Sequence, residues 1–314
     1  MSEVAVSVIC NVYNQEQYLR DTLEGFVMQR TDFPVEVLVH DDASTDGSAA
    51  IIREYAEKYP ALIKPLIEEE NQYSKGAGRV FAIQKARVTG KYVAFCEGDD
   101  YWTDPLKLQK QYDYLEAHPD CSLCATSGDW LNMKTGRVEK QGKVPADRDF
   151  TAEELITGRE RPFMTVAVMV PAEVWLTLPT YRFPIGDYPL TIYAATRGTV
   201  HMLADVCCVY RWYAAGSWTA RMDGDAKRVE ISEKMIAALE RFDESTGGRY
   251  AAPVQERIRS HRYTAAILRG DWAAVRSEEL YPIYKSRDLL HRLSDRLRCR
   301  FPGLYKKLRH LIRK

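Results

Sequence analysis

The sequence predicts an α/β fold: a mostly parallel, twisted sheet flanked by helices, followed by a helical C-terminal region. Three observations carry this expectation. Short β-rich runs alternate with helix-period segments through the first 120 residues, the signature of parallel strands joined by crossover helices. Acidic clusters follow two of those runs directly. Beyond about residue 223 only the helical period remains.

The elements follow in order. VAVSVIC (4–10) is the first strand. EQYLRDTLEGFVMQ (16–29) sets Leu19, Leu23, Phe26 and Val27 on one helical face. VEVLVH (35–40) is the second strand. STDGSAAIIREYAEKY (44–59) opens with cap-type residues, Ser44 or Thr45, and continues as a helix. LIKPLIEE (62–69) reads as a short strand and GRVFAIQKARVT (78–89) as a helix stopped by Gly90. KYVAFCE (91–97) is the next strand. Asp104 then resembles an N-cap, with Pro105 at the first helical position of the following helix. Between 121 and 220, CSLCATSGDWLN, FMTVAVMVP and VHMLADVCCVYRW read as strands, and PAEVWLTL and GDYPLTIYAAT as short helices. Helices are expected at 225–242, 253–269 and 271–285 and in the tail. The domain expectation is 1–222 for the α/β part and 223–314 for the helical part.

Composition sets the bounds. Of 314 residues, 46% are hydrophobic and 28% charged, the balance of a globular chain able to bury a sizeable core. No apolar run approaches membrane-spanning length, and the first residues lack a secretory pattern. Seven cysteines, an odd number, argue against a disulfide framework, and Cys121-x-x-Cys124 without a second Cys/His pair reads as core rather than zinc site. The expected compartment is reducing and cytoplasmic. Net charge is zero but uneven: residues 287–314 carry ten Lys/Arg against Asp288 and Asp295, or +8, so the rest, with 34 basic and 42 acidic residues, carries −8. No nucleic-acid partner is expected.

Two constellations carry chemistry. In YVAFCEGDDYW (92–102), Glu97, Asp99 and Asp100 crowd three carboxylates into four positions after a buried strand. Like charges that close raise one another's pKa unless a cation joins them, and closely spaced carboxylates suit Mg²⁺ or Mn²⁺ shared with phosphate oxygens. In VHDDASTDGS (39–48), Asp41 and Asp42 follow the second strand. One reading is an acidic loop capping a helix; the other is a carboxylate accepting hydrogen bonds from a base or ribose. In an open parallel sheet both clusters fall on the carboxyl edge, where ligands bind.

VSVICNVYNQEQYLRDTLEGFVMQ, VEVLVHDDASTDGSAAII and YVAFCEGDDYWTDPLKLQKQ, in that order, resemble the inverting glycosyltransferases of family 2, with the GT-A fold. The resemblance spans about the first 125 residues, more weakly 160–220, and does not extend over 225–314. It implies a nucleotide-sugar donor, UDP-linked by expectation, a divalent cation, and a glycan or lipid-linked acceptor in cell-surface polysaccharide or glycan biosynthesis. It implies that Asn11 and Tyr13 line the base pocket, with Tyr13 packing on uracil, that Asp42 reads the base, and that Asp41 stands beside it. Arg79 matches a basic residue able to offset nucleotide charge. Glu97-Gly98-Asp99 stands for the family's D-x-D motif, with Glu a departure from the usual first Asp; Asp99 and Asp100 are the expected metal ligands. Asp187, in a Gly-Asp context before a helix, matches the catalytic base; the alternative is that it only caps that helix. In VYRWYAAGSWTAR (209–221), Arg211 is expected to pair with phosphate, and Ser217 and Trp218 to line a closing segment. A nucleotidyltransferase is the competing enzyme, disfavoured because no Gly-rich loop follows the first strand. A nucleotide- or glycan-binding module without catalysis is the non-enzymatic alternative.

The tail places Leu289, Leu290, Leu293, Leu297, Phe301, Leu304, Leu308 and Leu311 at near-helical spacing among basic residues, with Pro302 as a break. Such an element lies either on an anionic membrane surface, making the protein peripheral to the inner face of the membrane, or packed on the body.

Overall fold

The computed structural model describes residues 3–76, 78–139, 143–158, 163–184, 186–217 and 224–305. By internal contacts the chain divides into two compact units. The first comprises Met1–Leu155, Glu160–Leu178 and Asp187–Arg221; the second comprises Ile156–Arg159, Pro179–Gly186 and Met222–Lys314.

The first unit is built on a ten-stranded sheet. Its strands are β1 (Val6–Val12), β2 (Val35–Asp41), β3 (Ile63–Ile67), β4 (Tyr92–Phe95), β5 (Tyr101–Trp102), β6 (Cys121–Asn132), β7 (Arg137–Glu139), β8 (Arg148–Phe150), β9 (Val168–Pro171) and β10 (Thr199–Trp212). The order is β3-β2-β1-β4-β9-β6-β10-β5, with β7 on β6 and β8 on β10. Neighbours β3, β2, β1 and β4 pair in parallel. β9 runs antiparallel to both β4 and β6, and β10 is parallel to β6. β1, β2, β3, β4, β6 and β10 therefore all point the same way, with β9 reversed among them. This is the GT-A-like α/β architecture expected from the sequence, with more antiparallel pairing in its second half than strand and helix alternation alone discloses.

Alternation along the strands explains why the sheet is covered on both faces. Val6, Val8, Cys10 and Val12 of β1, with Tyr92 and Ala94 of β4, enter one core; Ile9, Val93 and Phe95 enter the other. Helices α1 (Glu16–Val27), α2 (Ser48–Lys58) and α5 (Lys107–Ala117) supply Leu19, Leu23, Phe26, Ile52 and Leu108 to the first. The short α3 (Gln72–Lys75) and α4 (Arg79–Arg87) lie between β3 and β4. After β8, α6 (Ala152–Thr157), a 3₁₀ turn (Thr165–Ala167), α7 (Ala172–Leu176) and α8 (Asp187–Arg197) complete the run into β10.

Local departures have local causes. Residues 163–167, expected as strand, include the 3₁₀ turn, and β9 starts only at Val168. α2 starts at Ser48 because Ser44 is bound to Asp41, leaving Asp46 Oδ1 to accept the Ser48 N–H at 2.9 Å. α5 starts at Lys107, but Asp104 still closes the turn before it, accepting the Leu106 N–H at 2.8 Å. All seven cysteines are free, and Cys121 and Cys124 are buried as core residues.

In the second unit α9 (Asp225–Ser245) packs along α10 (Ala251–Arg269). The helix expected over 271–285 is two, α11 (Trp272–Val275) and α12 (Tyr281–Ser286). Val275 and Leu280 bury on either side of the break, and Ser277 Oγ accepts the Leu280 N–H at 3.3 Å. α13 (Leu289–Arg300) ends at Phe301, just before Pro302, as expected. Leu308 and Leu311 lie outside the described residues. No described helix is long and apolar enough to cross a membrane.

Candidate active site

The loops after β1 and β2 cap one another's helices. Asn14, with φ of 54°, accepts the Thr45 N–H on Oδ1 at 2.7 Å, and its own N–H goes to Ser44 Oγ at 2.9 Å. Gln15 N–H reaches Ser48 Oγ and Glu16 N–H reaches Asp46 Oδ2. These bonds satisfy first-turn donors of α1 from the neighbouring loop. They also hold Asn14 and Ala43 (φ 61°) in the left-handed region that asparagine tolerates and alanine does not favour. Tyr13, at the turn, is left about half exposed, its ring available for a flat partner.

Asp41 and Asp42 are both buried. Asp41 accepts the Ser44 N–H and hydroxyl. Asp42 spans the first turn of α3, taking the Gln72 N–H at 2.6 Å and the Tyr73 N–H at 3.1 Å. Each carboxylate thus has a structural task in the protein alone, and a ligand would meet Asp42 through its remaining lone pairs. Arg79 is exposed at the start of α4 and donates through Nε to Gln72 Oε1 at 3.2 Å, so it joins the same patch.

The acidic loop is clamped onto β1. Gly98 N–H donates to the Asn11 carbonyl at 3.0 Å, and Asn11 Nδ2 faces Glu97 Oε1 at 3.5 Å. Gln84, buried on α4, orients Asn11 by donating to its Oδ1 at 3.1 Å and to the Leu38 carbonyl at 3.0 Å. Thr22 Oγ1 lies 3.0 Å from the Gly98 carbonyl and 2.6 Å from that of Asp100. Gly98 is required for close approach: a Cβ there would lie 2.5 Å from Gln15 Oε1 and 2.9 Å from Val12 Cγ2.

Electrostatically, Arg211 only partly offsets the loop's carboxyl groups. Burial, reinforced by Asp99, pushes the Glu97 carboxyl up to about 7. Burial also raises Asp99, against the pull of backbone hydrogen bonding and Arg211, and drives Asp100 well above the usual carboxylate range, with Asp99 adding to it. Gln15 Oε1 is a buried acceptor with no hydrogen-bond partner among the described residues. A site rich in acceptors and poor in donors suits a cation or a hydroxyl-bearing ligand. Among the described residues no three His, Cys, Asp or Glu side chains are gathered in ligating geometry. Asp100 Oδ1 already accepts the Arg211 N–H at 2.8 Å, which leaves Asp99 as the more accessible carboxylate. One or two carboxylates with phosphate oxygens and water suffice for Mg²⁺.

Arg211, expected from the resemblance to pair with phosphate, has internal partners in the protein alone. It is buried, pairs through Nη2 with Asp21, and donates through Nη1 to the Asp99 carbonyl at 2.9 Å. Its guanidinium lies 4.4 Å from the Tyr101 ring centroid and 5.1 Å from that of Tyr18. A guanidinium spent this way ties β10 to α1 and the acidic loop. Ala215 N–H donates to the Tyr18 hydroxyl at 3.1 Å, and Ser217 N–H to the Ala214 carbonyl at 3.1 Å, so the segment after β10 is rooted on α1. Trp218 lies outside the described residues.

Asp187 is the first residue of α8, and its Oδ1 accepts the Tyr188 N–H at 2.7 Å. Near the other end of α8 the Ala194 carbonyl accepts from Ser122 Oγ at the start of β6, and β10 begins directly after the helix. An 11-residue helix is ~16 Å long. Sequence reading placed Asn14 in the segment lining the base pocket but passed over Gln84, Thr22 and Asp21. Those three act on the site through contacts at 46 to 190 residues' separation, which leave no local signal.

Against known proteins, residues 7–158 match the model for glycosyl transferase family 2. An uncharacterized protein of Mycobacterium tuberculosis is 37% identical over 215 residues, covering 68% of this chain and 60% of the relative. The chain thus spans about 60% of the length of that relative. Among solved structures, Staphylococcus aureus TarS 1–349 in complex with UDP-GlcNAc superposes with a TM-score of 0.59 at 18% identity, covering 98% of this chain and 92% of that one. The mannosyltransferase PcManGT from Pyrobaculum calidifontis, in complex with GDP-Man and Mn²⁺, does so with 0.57 at 20% identity, covering 98% and 84%. At these identities the superpositions establish the fold.

Proposed function

With residues 7–158 forming a glycosyl transferase family 2 domain, we propose that the protein moves a sugar from a nucleotide-sugar donor to an acceptor hydroxyl with inversion at the anomeric carbon. The observation that carries this reading is the acidic loop: three carboxylates held at the carboxyl edge of β4 with raised pKa values, next to Asn11. Isolated carboxylates gain nothing from such crowding; a cation bridging them to a diphosphate relieves it.

In this reading the nucleoside lies over the β1 and β2 edge. Tyr13 offers its exposed ring to the base. Asn11, Asp41 and Asp42 accept or donate hydrogen bonds around the base and ribose, Arg79 lowers the negative charge, and Ser217 borders the donor. Glu97 and Asp99 face the ribose and diphosphate side. Asp99, with Asp100 behind it, would hold Mg²⁺ or Mn²⁺, which when bound acts as a Lewis acid toward the departing diphosphate. Arg211 keeps Asp99 and Asp100 in place. Asp187 takes the acceptor's hydroxyl proton as that oxygen attacks the anomeric carbon, and the electron pair of the breaking C–O bond leaves with the diphosphate. Attack opposite the leaving group inverts the centre, through an oxocarbenium-like transition state. UDP is the favoured nucleotide, and a glycan or lipid-linked acceptor would place the reaction in polysaccharide or glycan assembly. The structural neighbours in complex with UDP-GlcNAc, and with GDP-Man and Mn²⁺, support a nucleotide-sugar donor and a metal.

Calorimetry with UDP and GDP, each with and without Mn²⁺, tests the reading. Metal-dependent binding is expected, weakened by Asp99→Asn and retained by Asp187→Asn, while Asp187→Asn abolishes transfer. No heat with either nucleotide in the presence of metal would refute the donor site; near-normal turnover in Asp187→Asn would remove Asp187 as the base.

A further inference from the structure

α13 is mounted with its charged face inward. Its buried residues are Asp295 and Arg298. Asp295 accepts from the Tyr263 hydroxyl at 2.7 Å and forms an ion pair with Arg287 at 3.0 Å, while Arg298 pairs with Asp225 at 2.5 Å. Of the helix, Cys299 joins the apolar cluster around Tyr263, Ile267 and Val275. The leucines face away: Leu290 is 78% exposed and Leu289 62%, with Leu293, Phe301 and Leu304 also more than half exposed. A surface helix ordinarily buries its apolar stripe and shows its charges. Here the polar anchors leave no rotation that buries the leucines without breaking the Asp295 and Arg298 pairs.

We infer that this leucine face is a docking surface for an anionic lipid bilayer. Charge identifies the occupant. Residues 287–314 carry +8 on a chain whose remainder carries −8. Positions 292, 296 and 300 are all arginine, at i, i+4 and i+8, so they line up along one border of the outward stripe. Apolar side chains beside a row of cations match an interface with acyl chains below and anionic headgroups at the surface. A second copy of the same face would bring like charges together. The inference concerns a different surface from the acidic loop and is read without nucleotide, so its failure would leave the proposed function untouched.

The test is co-sedimentation of the full chain with vesicles of phosphatidylcholine alone or with about 30 mol% phosphatidylglycerol. Binding is expected to the anionic vesicles only, falling as salt rises. Leu290→Glu/Leu293→Glu, at two exposed positions, should keep the wild-type melting temperature and lower the partition coefficient on the order of a hundredfold. Undiminished binding by that double variant would overturn the inference, as would wild-type protein that ignores anionic vesicles. A dimer in light scattering that the double variant converts to monomer, without vesicle binding by either, would assign the face to self-association and overturn it too.

Discussion

Glu97→Gln isolates the electrostatic cost stored in the acidic loop. The substitution keeps shape and leaves an oxygen for Asn11 Nδ2, which faces Oε1 at 3.5 Å. Burial and Asp99 lift the Glu97 carboxyl from 4.5 to about 7. A raised carboxyl binds its proton more tightly folded than unfolded. Its favourable contribution is therefore fully present below about pH 4.5 and is lost as pH rises through about 7. At ~1.4 kcal/mol per pKa unit the full penalty at pH 8 is about 3 kcal/mol. The side chain is partly exposed, so solvent screening reduces the expected gain for Gln to about 1–2 kcal/mol. At roughly 2–4 °C per kcal/mol for a unit of this size, the ligand-free variant should melt about 2–8 °C above wild type at pH 8 and level with it at pH 4. Thermal unfolding followed by circular dichroism across that range reads the difference. Equal melting temperatures at pH 8, or the same gain at both ends, would refute the account of Glu97 as a buried carboxyl under strain. The same variant should show a smaller thermal shift with UDP and Mn²⁺, because a neutral amide no longer attracts a cation.

Two further substitutions probe how the site is held. Arg211→Ala removes the donor to the Asp99 carbonyl, the Asp21 pair and the stacking against Tyr18 and Tyr101; a loss of about 2–4 kcal/mol is expected in chemical denaturation, with weaker metal-dependent nucleotide binding. Arg211→Lys should recover little of either, since one ammonium cannot serve Asp21 and Asp99 while lying between two rings. Asn14→Ala, which deletes the bond to Thr45 and forces alanine to φ 54°, should cost about 2 kcal/mol, and Asn14→Gly about 1, separating the hydrogen bond from the backbone strain.

By itself the sequence determined what depends on local order. Strand and helix periods identified β1 to β4 and their crossover helices, because in-out alternation and the 3.6-residue period are written in successive residues. CEGDDYW and HDDAS marked the functional edge, because loops after parallel strands fall on one side of the sheet. The tertiary structure decided what depends on partners far away in the chain. β9 runs against its neighbours, which no residue in 168–171 announces. Arg211 pairs its guanidinium with Asp21, 190 residues earlier, a contact no local pattern discloses. Leucines at 289, 290 and 293 face outward although their spacing alone allows either orientation, because Asp295 and Arg298 find Tyr263 and Asp225 on other helices. A periodic stripe fixes that a helix has two faces; the desolvated polar groups, which must find partners or forfeit their hydrogen bonds, choose which of the two is buried.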